Sequence, residues 1–238
     1  MKAMIFAAGL GTRFKPFTNE HPKALAIVNQ KSLLQRNVEY LQQYNITDVV
    51  VNVHHFGDQI VEAIKKNKGW GSHICISDER DEVLETGGGL AKAQHLLGDN
   101  EPFITINVDI LSNLNIQHFI DFYTNHNPLI TLAVTNRLTS RYFLFNQQNQ
   151  LSGWRNVKTH EEKIIIPQTH YMQKAYSGIA IFNPSIFSLI RQQGKFSLTE
   201  TYLHLAKTQS ILGYEHSLDI VLDVGNMEAV KTAEKLFQ

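Results

Sequence analysis

An apolar run at residues 3–8 leads straight into Gly9 and Gly11, with Ala8 before them, Thr12 and Arg13 behind them, and Lys23 ten residues further on, after Pro22. Lacking a Cβ, each glycine lets backbone N–H groups close around an anion. Arg13 and Lys23 add the positive charge that a polyphosphate needs beyond what amides supply. The segment reads as a phosphate-handling loop. A plain strand-to-loop turn with solvated cations is the blander alternative, and it leaves the charge beside the glycines without a task. A dinucleotide-binding turn is disfavoured because its third glycine would fall at Phe14, and a Walker-type loop is absent because no glycine precedes a Lys-Ser or Lys-Thr pair at the required spacing.

Two further features suit nucleotide chemistry. Glu85, Thr86, Gly87, Gly88 and Gly89 form a block in which three bare backbones permit a base to lie directly on the chain, and an ordinary helix entry is the alternative. Asp109 and Asp223 each end an apolar run, where a carboxylate can project over a sheet edge. Mg2+ takes one or two carboxylates together with phosphate oxygens and water, so a widely separated aspartate pair suffices if the fold unites it. Competing chemistries find few residues. There is no Gly-x-Ser-x-Gly elbow, Cys75 stands alone between Ile74 and Ile76, and the His160-Glu161-Glu162 stretch has Ile164 where a zinc helix would need its second histidine.

The elements that must position these groups follow from periodicity. Runs at 3–8, 48–53, 73–77, 103–107 and 129–135 are apolar and often β-branched, as expected of strands buried on both faces of a parallel sheet. Between them, apolar residues recur at helical spacing: Leu33, Leu34, Val38 and Leu41; Phe56, Ile60 and Ile64; Leu90, Ala93 and Leu97; Ile116, Phe119, Ile120 and Tyr123. Alternation of this kind predicts an α/β fold, a three-layer α/β/α Rossmann-like sandwich with a mostly parallel central sheet and ligands beyond the carboxyl ends of its strands. Past Thr135 the alternation stops. Stretches 142–146 and 151–156 flank a polar turn and predict a hairpin, the start of a small antiparallel lobe. A strand at 176–182, helices after Pro184 and at 197–207, and a last helix capped by Asn226 complete the expected layout. One domain, 1–238, is expected, with halves at 1–135 and 136–238.

Composition narrows the partners. At 238 residues, with 43% hydrophobic and 18% charged residues, the chain is an ordinary globular one, and 22 basic against 22 acidic residues leave no net charge to attract nucleic acid. No stretch approaches a membrane span and the apolar run near the N-terminus is too short for a signal core, so no membrane association and a cytoplasmic location are expected.

The ordered blocks 7–13 with Pro22-Lys23, 85–89, Asn107-Val108-Asp109, Tyr176-Ser177-Gly178-Ile179 and Asp223-Val224-Gly225 resemble those of the sugar-1-phosphate nucleotidyltransferases, or NDP-sugar pyrophosphorylases. The likeness covers essentially the whole chain. It is nearest to the short, single-domain branch that includes N-acetylmuramate-1-phosphate uridylyltransferases and mannose-1-phosphate guanylyltransferases. The resemblance implies transfer of a nucleotidyl group from a nucleoside triphosphate to a sugar 1-phosphate, with Mg2+ held by Asp109 and Asp223. It places Arg13 over the leaving pyrophosphate, Lys23 near the α-phosphate, Asn107 at the nucleotide, and Ser177 and Gly178 at the sugar. Two departures stand out: Val108 replaces the glycine that many members carry before the aspartate, and Glu162-Lys163 is followed by Ile164 where many have proline. The base stays open. Glu85 could accept from guanine, whereas backbone groups of Gly87 and Gly88 suit uracil, and the balance leans to UTP. A non-sugar acceptor such as phosphocholine with CTP, or a nucleotide-sugar-binding regulatory protein without turnover, are the other readings; oligomeric state is not legible.

Overall fold

The computed structural model describes residues 1–98 and 100–237. Strands β1 (Lys2–Phe6), β2 (Asp48–Val53), β3 (His73–Asp78) and β4 (Phe103–Asn107) lie in the order β3-β2-β1-β4, all parallel. Their side chains alternate between two cores. Ala3 and Ile5 join Val49, Val51 and Ile104 on one face, while Met4 and Phe6 join Val50 and Phe103 on the other. Because both faces are dry, the strands read as continuous apolar runs.

Helices α1 (Leu33–Gln42) and α2 (Gly57–Lys66) bury Leu34, Val38, Ile60 and Ile64 on the first face, and α3 (Glu85–Lys92) buries Leu90 on the second. After β4 comes the short β5 (Ile110–Ser112), then α4 (Ile116–His126) on the first face and β6 (Ile130–Thr135). Ser32 and Asn115 cap α1 and α4 by accepting from the amides of Gln35 and His118, each such cap stabilising its helix by about 1 kcal/mol.

The second half begins with the expected hairpin, β7 (Arg141–Phe145) and β8 (Leu151–Asn156), extended by β9 (Glu161–Ile164). β10 (Met172–Phe182) starts on β7 through residues 172–174 and then runs antiparallel between β4 and β6. The two halves of the chain therefore share one sheet. α5 (Leu198–Leu205), β11 (Ile211–Glu215, parallel to β6), β12 (Val221–Asp223) and α6 (Met227–Leu236) complete the fold. The expected α/β layering is found, but the sheet is only partly parallel: β10 runs antiparallel to β4, β6 and β7, and β7, β8 and β9 pair antiparallel in turn. Strands β5, β9 and β11 were not expected, and β10 begins four residues before the predicted 176. No described helix is long and apolar enough to cross a membrane.

Candidate active site

The loop after β1 is set by three contacts. Ala7 and Ala8 donate their amides to Asn52 Oδ1, at 2.7 and 3.3 Å, so the Ala8 amide is already engaged. Asn52 Nδ2 in turn donates to Glu79 Oε1 at 2.8 Å, and Glu79 is only 1% exposed. Burial pushes the Glu79 carboxyl above the usual carboxylate range, the Asn52 hydrogen bond partly offsetting it, and Oε2 has no partner. Thr18 Oγ1 donates to Gly11 O at 2.9 Å.

The two loop glycines have different reasons. Gly11 has φ +60°, and a Cβ there would stand 2.8 Å from Thr18 Cγ2 and 3.2 Å from Lys23 Cβ. Around Gly9 nothing lies within 4 Å of a Cβ, so Gly9 faces the open cleft. The two glycines, expected to share one role, thus differ: the bareness of Gly9 keeps the cleft clear, and that of Gly11 serves the packing of the loop. That cleft, about 340 Å³, is lined by Gly9, Gly11, Thr12, Asn52, Glu79 and Glu85, and an adjoining one of about 180 Å³ adds Lys23, Thr86, Asn107 and Asp109.

Two cation–carboxylate pairs sit at this end. Lys23 pairs with Asp109, both mostly buried, and Arg13 Nη2 lies 3.6 Å from Asp223 Oδ2 in a far more exposed pair. The β5–β12 ladder brings the aspartates together: Asp223 opposes Ile110, and the Val224 amide donates to Asp109 O at 2.8 Å. Among the described residues no cluster of three or more potential metal ligands occurs. Two hard carboxylates beside a phosphate-sized cleft nevertheless fit Mg2+, which draws its remaining ligands from phosphate and water.

The glycine block is used differently from the expectation. Glu85 through Lys92 is helix α3 itself, and the amides of Gly87 and Gly88 both donate to Phe196 O, at 2.9 and 3.3 Å. A Cβ on Gly87 would meet the Phe196 ring at 2.3 Å, and one on Gly88 would meet Gly194 O at 2.1 Å. These glycines let α3 pack against residues 194–196, and their amides are not available to a base. Thr86 Oγ1 accepts from Leu198 N at 3.1 Å, tying α3 to α5 while still lining both clefts. Glu85 has φ +58° and reaches the cleft rim, with Lys195 Nζ 3.7 Å from Oε1.

Ser177 also departs from its expected place. It is fully buried, and its hydroxyl is committed to a hydrogen bond with His216 Nε2 at 2.8 Å. His216 Nδ1 stands 3.3 Å from Asp219 Oδ2, off the line of a hydrogen bond. Burial pushes the His216 pKa down, with Asp219 acting against it. Gly178, at φ +72°, allows the β10 backbone to approach Asn107 and Ile110, where a Cβ would stand 2.7 Å from Ile110 Cγ1.

Sequence reasoning missed Asn52 and Glu79. A signal for Asn52 existed, an amide side chain inside the apolar run of β2, where a buried polar group requires partners. Nothing local marks Glu79.

With this architecture in view, the chain belongs to the nucleotidyl transferase family, whose match extends over residues 2–237. It is 29% identical over 238 residues to the N-acetylmuramate alpha-1-phosphate uridylyltransferase of Neisseria meningitidis, covering 99% of this chain and 98% of that protein. A protein of the same name from Caulobacter vibrioides is 46% identical over 110 residues, 45% of each chain. Mannose-1-phosphate guanyltransferase beta-A of Xenopus laevis is 32% identical over 194 residues, 80% of this chain but 52% of that one. The chain thus spans about half the length of these last two relatives. Among solved structures, a UDP-glucose pyrophosphorylase complexed with UDP-glucose shares the fold at TM-score 0.78 and 18% identity, over 99% of this chain and 97% of that one. HddC from Yersinia pseudotuberculosis, complexed with GMP-PN, does so at TM-score 0.79 and 20% identity, over 100% and 99%.

Proposed function

We propose that this chain transfers a nucleotidyl group from a nucleoside triphosphate to a sugar 1-phosphate. The observation that carries the reading is the pairing of Lys23 with Asp109 and of Arg13 with Asp223 at the mouth of a glycine-lined cleft. A phosphate oxygen of the acceptor attacks the α-phosphorus in line, and the bond to the bridging oxygen breaks as pyrophosphate leaves. The nucleophile belongs to the substrate, so the protein's work is alignment and charge neutralisation.

Residues of the glycine loop, Gly9, Gly11 and Thr12, hold the polyphosphate, with Thr86 and Asn107 on the opposite wall. Asp109 and Asp223 would hold Mg2+, which supplies electrostatic stabilisation of the phosphoryl oxygens when bound. Lys23 would meet the α-phosphate and Arg13 the departing pyrophosphate, each exchanging a carboxylate partner for a phosphate one.

UTP and N-acetylmuramate 1-phosphate are the proposed substrates. Their support is the end-to-end likeness to the Neisseria uridylyltransferase, against guanyltransferase relatives that this chain matches over about half their length. Pyrophosphate release measured for four nucleoside triphosphates against N-acetylmuramate, N-acetylglucosamine, glucose and mannose 1-phosphates, with phosphocholine as a further acceptor, tests this. Highest kcat/KM is expected for UTP with N-acetylmuramate 1-phosphate. A maximum at GTP with mannose 1-phosphate, or at CTP with phosphocholine, refutes the pair; no release with any combination refutes the transfer reaction.

A further inference from the structure

A cavity of about 300 Å³ opens between the end of β6 and the residues leading into β12, lined by Thr135, Asn136, Arg137, Ser217, Asp219 and Val221. Several of its wall groups are already satisfied. Asn136 Nδ2 donates to Glu215 Oε1 at 2.6 Å, Lys174 Nζ donates to Asn136 Oδ1 and Glu215 Oε2 at 2.8 and 2.6 Å, and Ser217 Oγ donates to Glu215 Oε1 at 2.8 Å. Asp219 leans on His216, which is anchored in turn by Ser177.

Two groups remain unspent. Thr135, 4% exposed, has no partner for its hydroxyl. Arg137 donates Nη2 to Tyr176 O at 2.9 Å, but its buried Nε has no acceptor, and no carboxylate lies within ion-pair reach of it among the described residues. A buried donor without an acceptor is costly, and a bound anion would supply both the acceptor and the counter-charge that Arg137 lacks. The planar fork of arginine suits a carboxylate, and a threonine hydroxyl beside it supplies one more donor.

The cavity also adjoins the reaction centre. Val221, on its wall, and Asp223 are two residues apart on β12, so their side chains share a face and their Cα atoms are separated by roughly 6 to 7 Å. For an acceptor whose phosphate sits at the aspartates, the cavity lies within reach of the sugar ring. We infer that this cavity receives a carboxylate borne by the acceptor sugar, with Arg137 as its counter-charge and Thr135 as a second donor. The inference rests on the sugar 1-phosphate reading and adds to it a residue that selects acidic sugars. Asp219 and the fixed amide of Asn136 offer acceptor and polar surface for ring hydroxyls.

The test compares kcat/KM for N-acetylmuramate 1-phosphate with that for N-acetylglucosamine 1-phosphate, which lacks the lactyl carboxylate, in wild type, Arg137→Gln and Arg137→Lys. Wild type is expected to prefer the carboxylate-bearing acceptor. Arg137→Gln should lose roughly tenfold to a hundredfold more activity toward it than toward the neutral one, and Arg137→Lys should recover part of that preference. A parallel loss toward both acceptors would mean that Arg137 meets the phosphate or only braces Tyr176, and would overturn the assignment. Calorimetric binding of free N-acetylmuramate against N-acetylglucosamine, without nucleotide, separates the two layers. A preference abolished by Arg137→Gln in a protein that transfers to no sugar phosphate leaves the subsite standing and the transfer reading refuted; transfer without any carboxylate preference does the reverse.

Discussion

At the glycine-loop end of the cleft, each of the two cations is matched by a carboxylate of the protein, Lys23 by Asp109 and Arg13 by Asp223. Around Thr135 and Arg137, the surrounding polar groups pair with one another and one guanidinium is left over. The difference matches the tasks proposed for the two regions. A site that receives a metal and a polyphosphate together benefits from charges that are neutral in pairs and can exchange partners. A site that must choose among sugars benefits from a charge the protein itself leaves unmatched, because the wrong ligand then leaves it unpaired.

The sharpest way to break the first half of this comparison is to remove Lys23. Lys23→Ala is expected to lower kcat by roughly a hundredfold or more, since a preorganised cation at developing charge is worth that much. Asp109→Ala should be comparably severe, and a chelator should stop pyrophosphate release. Steady-state kinetics decide it: wild-type kcat in Lys23→Ala, or full activity in chelator, removes the paired charges from the mechanism.

The glycines offer a second contrast within the same loop. Gly11→Val meets a positive φ and close contacts with Thr18 and Lys23, and is expected to destabilise the fold by about 1–3 kcal/mol. Gly9→Val meets open space, so thermal stability should hold while nucleotide affinity falls. Denaturation and nucleotide titration on both variants read the two effects separately. Equal stability losses with unaltered nucleotide binding would show that Gly9 does not face the phosphate.

Such contrasts mark what was legible beforehand. The strands β1, β2 and β4 follow from near-continuous apolar runs, the pattern that burial on both faces imposes. By contrast β9 is an exposed strand with the sequence Glu-Glu-Lys-Ile, and only its pairing with β8 makes it one. The sequence blocks located Lys23, Asp109 and Asp223, but their juxtaposition depends on the β5–β12 register, which no local feature encodes. Three consecutive glycines resemble a loop, yet the neighbours that require them at Gly87 and Gly88 lie more than a hundred residues away, at Gly194 and Phe196. Arg137 and Thr135 belong to no block at all; what marks them is an Nε and a hydroxyl left without partners beside a cavity, visible only once the fold is formed.

Glu79 provides a milder test of how firmly the loop is held. Its carboxyl is raised by burial, so between the ordinary carboxylate range and its raised value the folded state binds more protons than the unfolded one. Stability should therefore fall as pH rises through that window. Glu79→Gln removes the titration and is expected to flatten this part of the curve while keeping an oxygen for Asn52. Glu79→Ala leaves Asn52 Nδ2 unpaired at a cost of about 1–3 kcal/mol. Denaturation at several pH values checks both; an identical slope in wild type and Glu79→Gln contradicts the buried-acid assignment.

The smallest effect is expected at Glu85, where the comparison itself is most exposed to failure. Its carboxylate stands at the cleft rim with a side chain 46% exposed, and its pairing with Lys195 at 3.7 Å is a surface contact of the kind that contributes little. With Gly87 and Gly88 amides committed to Phe196, Glu85 is the ionisable group of that block still facing the cleft. If uracil is the base, nothing on it requires a carboxylate, and Glu85→Gln should leave UTP turnover within about twofold, as expected of a substitution at an exposed site. If the base is guanine, its N1–H and N2–H would donate to that carboxylate, and the variant would lose roughly tenfold or more in GTP binding. In that case the nucleotide end, too, holds a charge reserved for its ligand, and the division between a self-matched end and a selecting end disappears. Parallel kinetics with UTP and GTP on wild type and Glu85→Gln therefore decide the base and the comparison in one experiment.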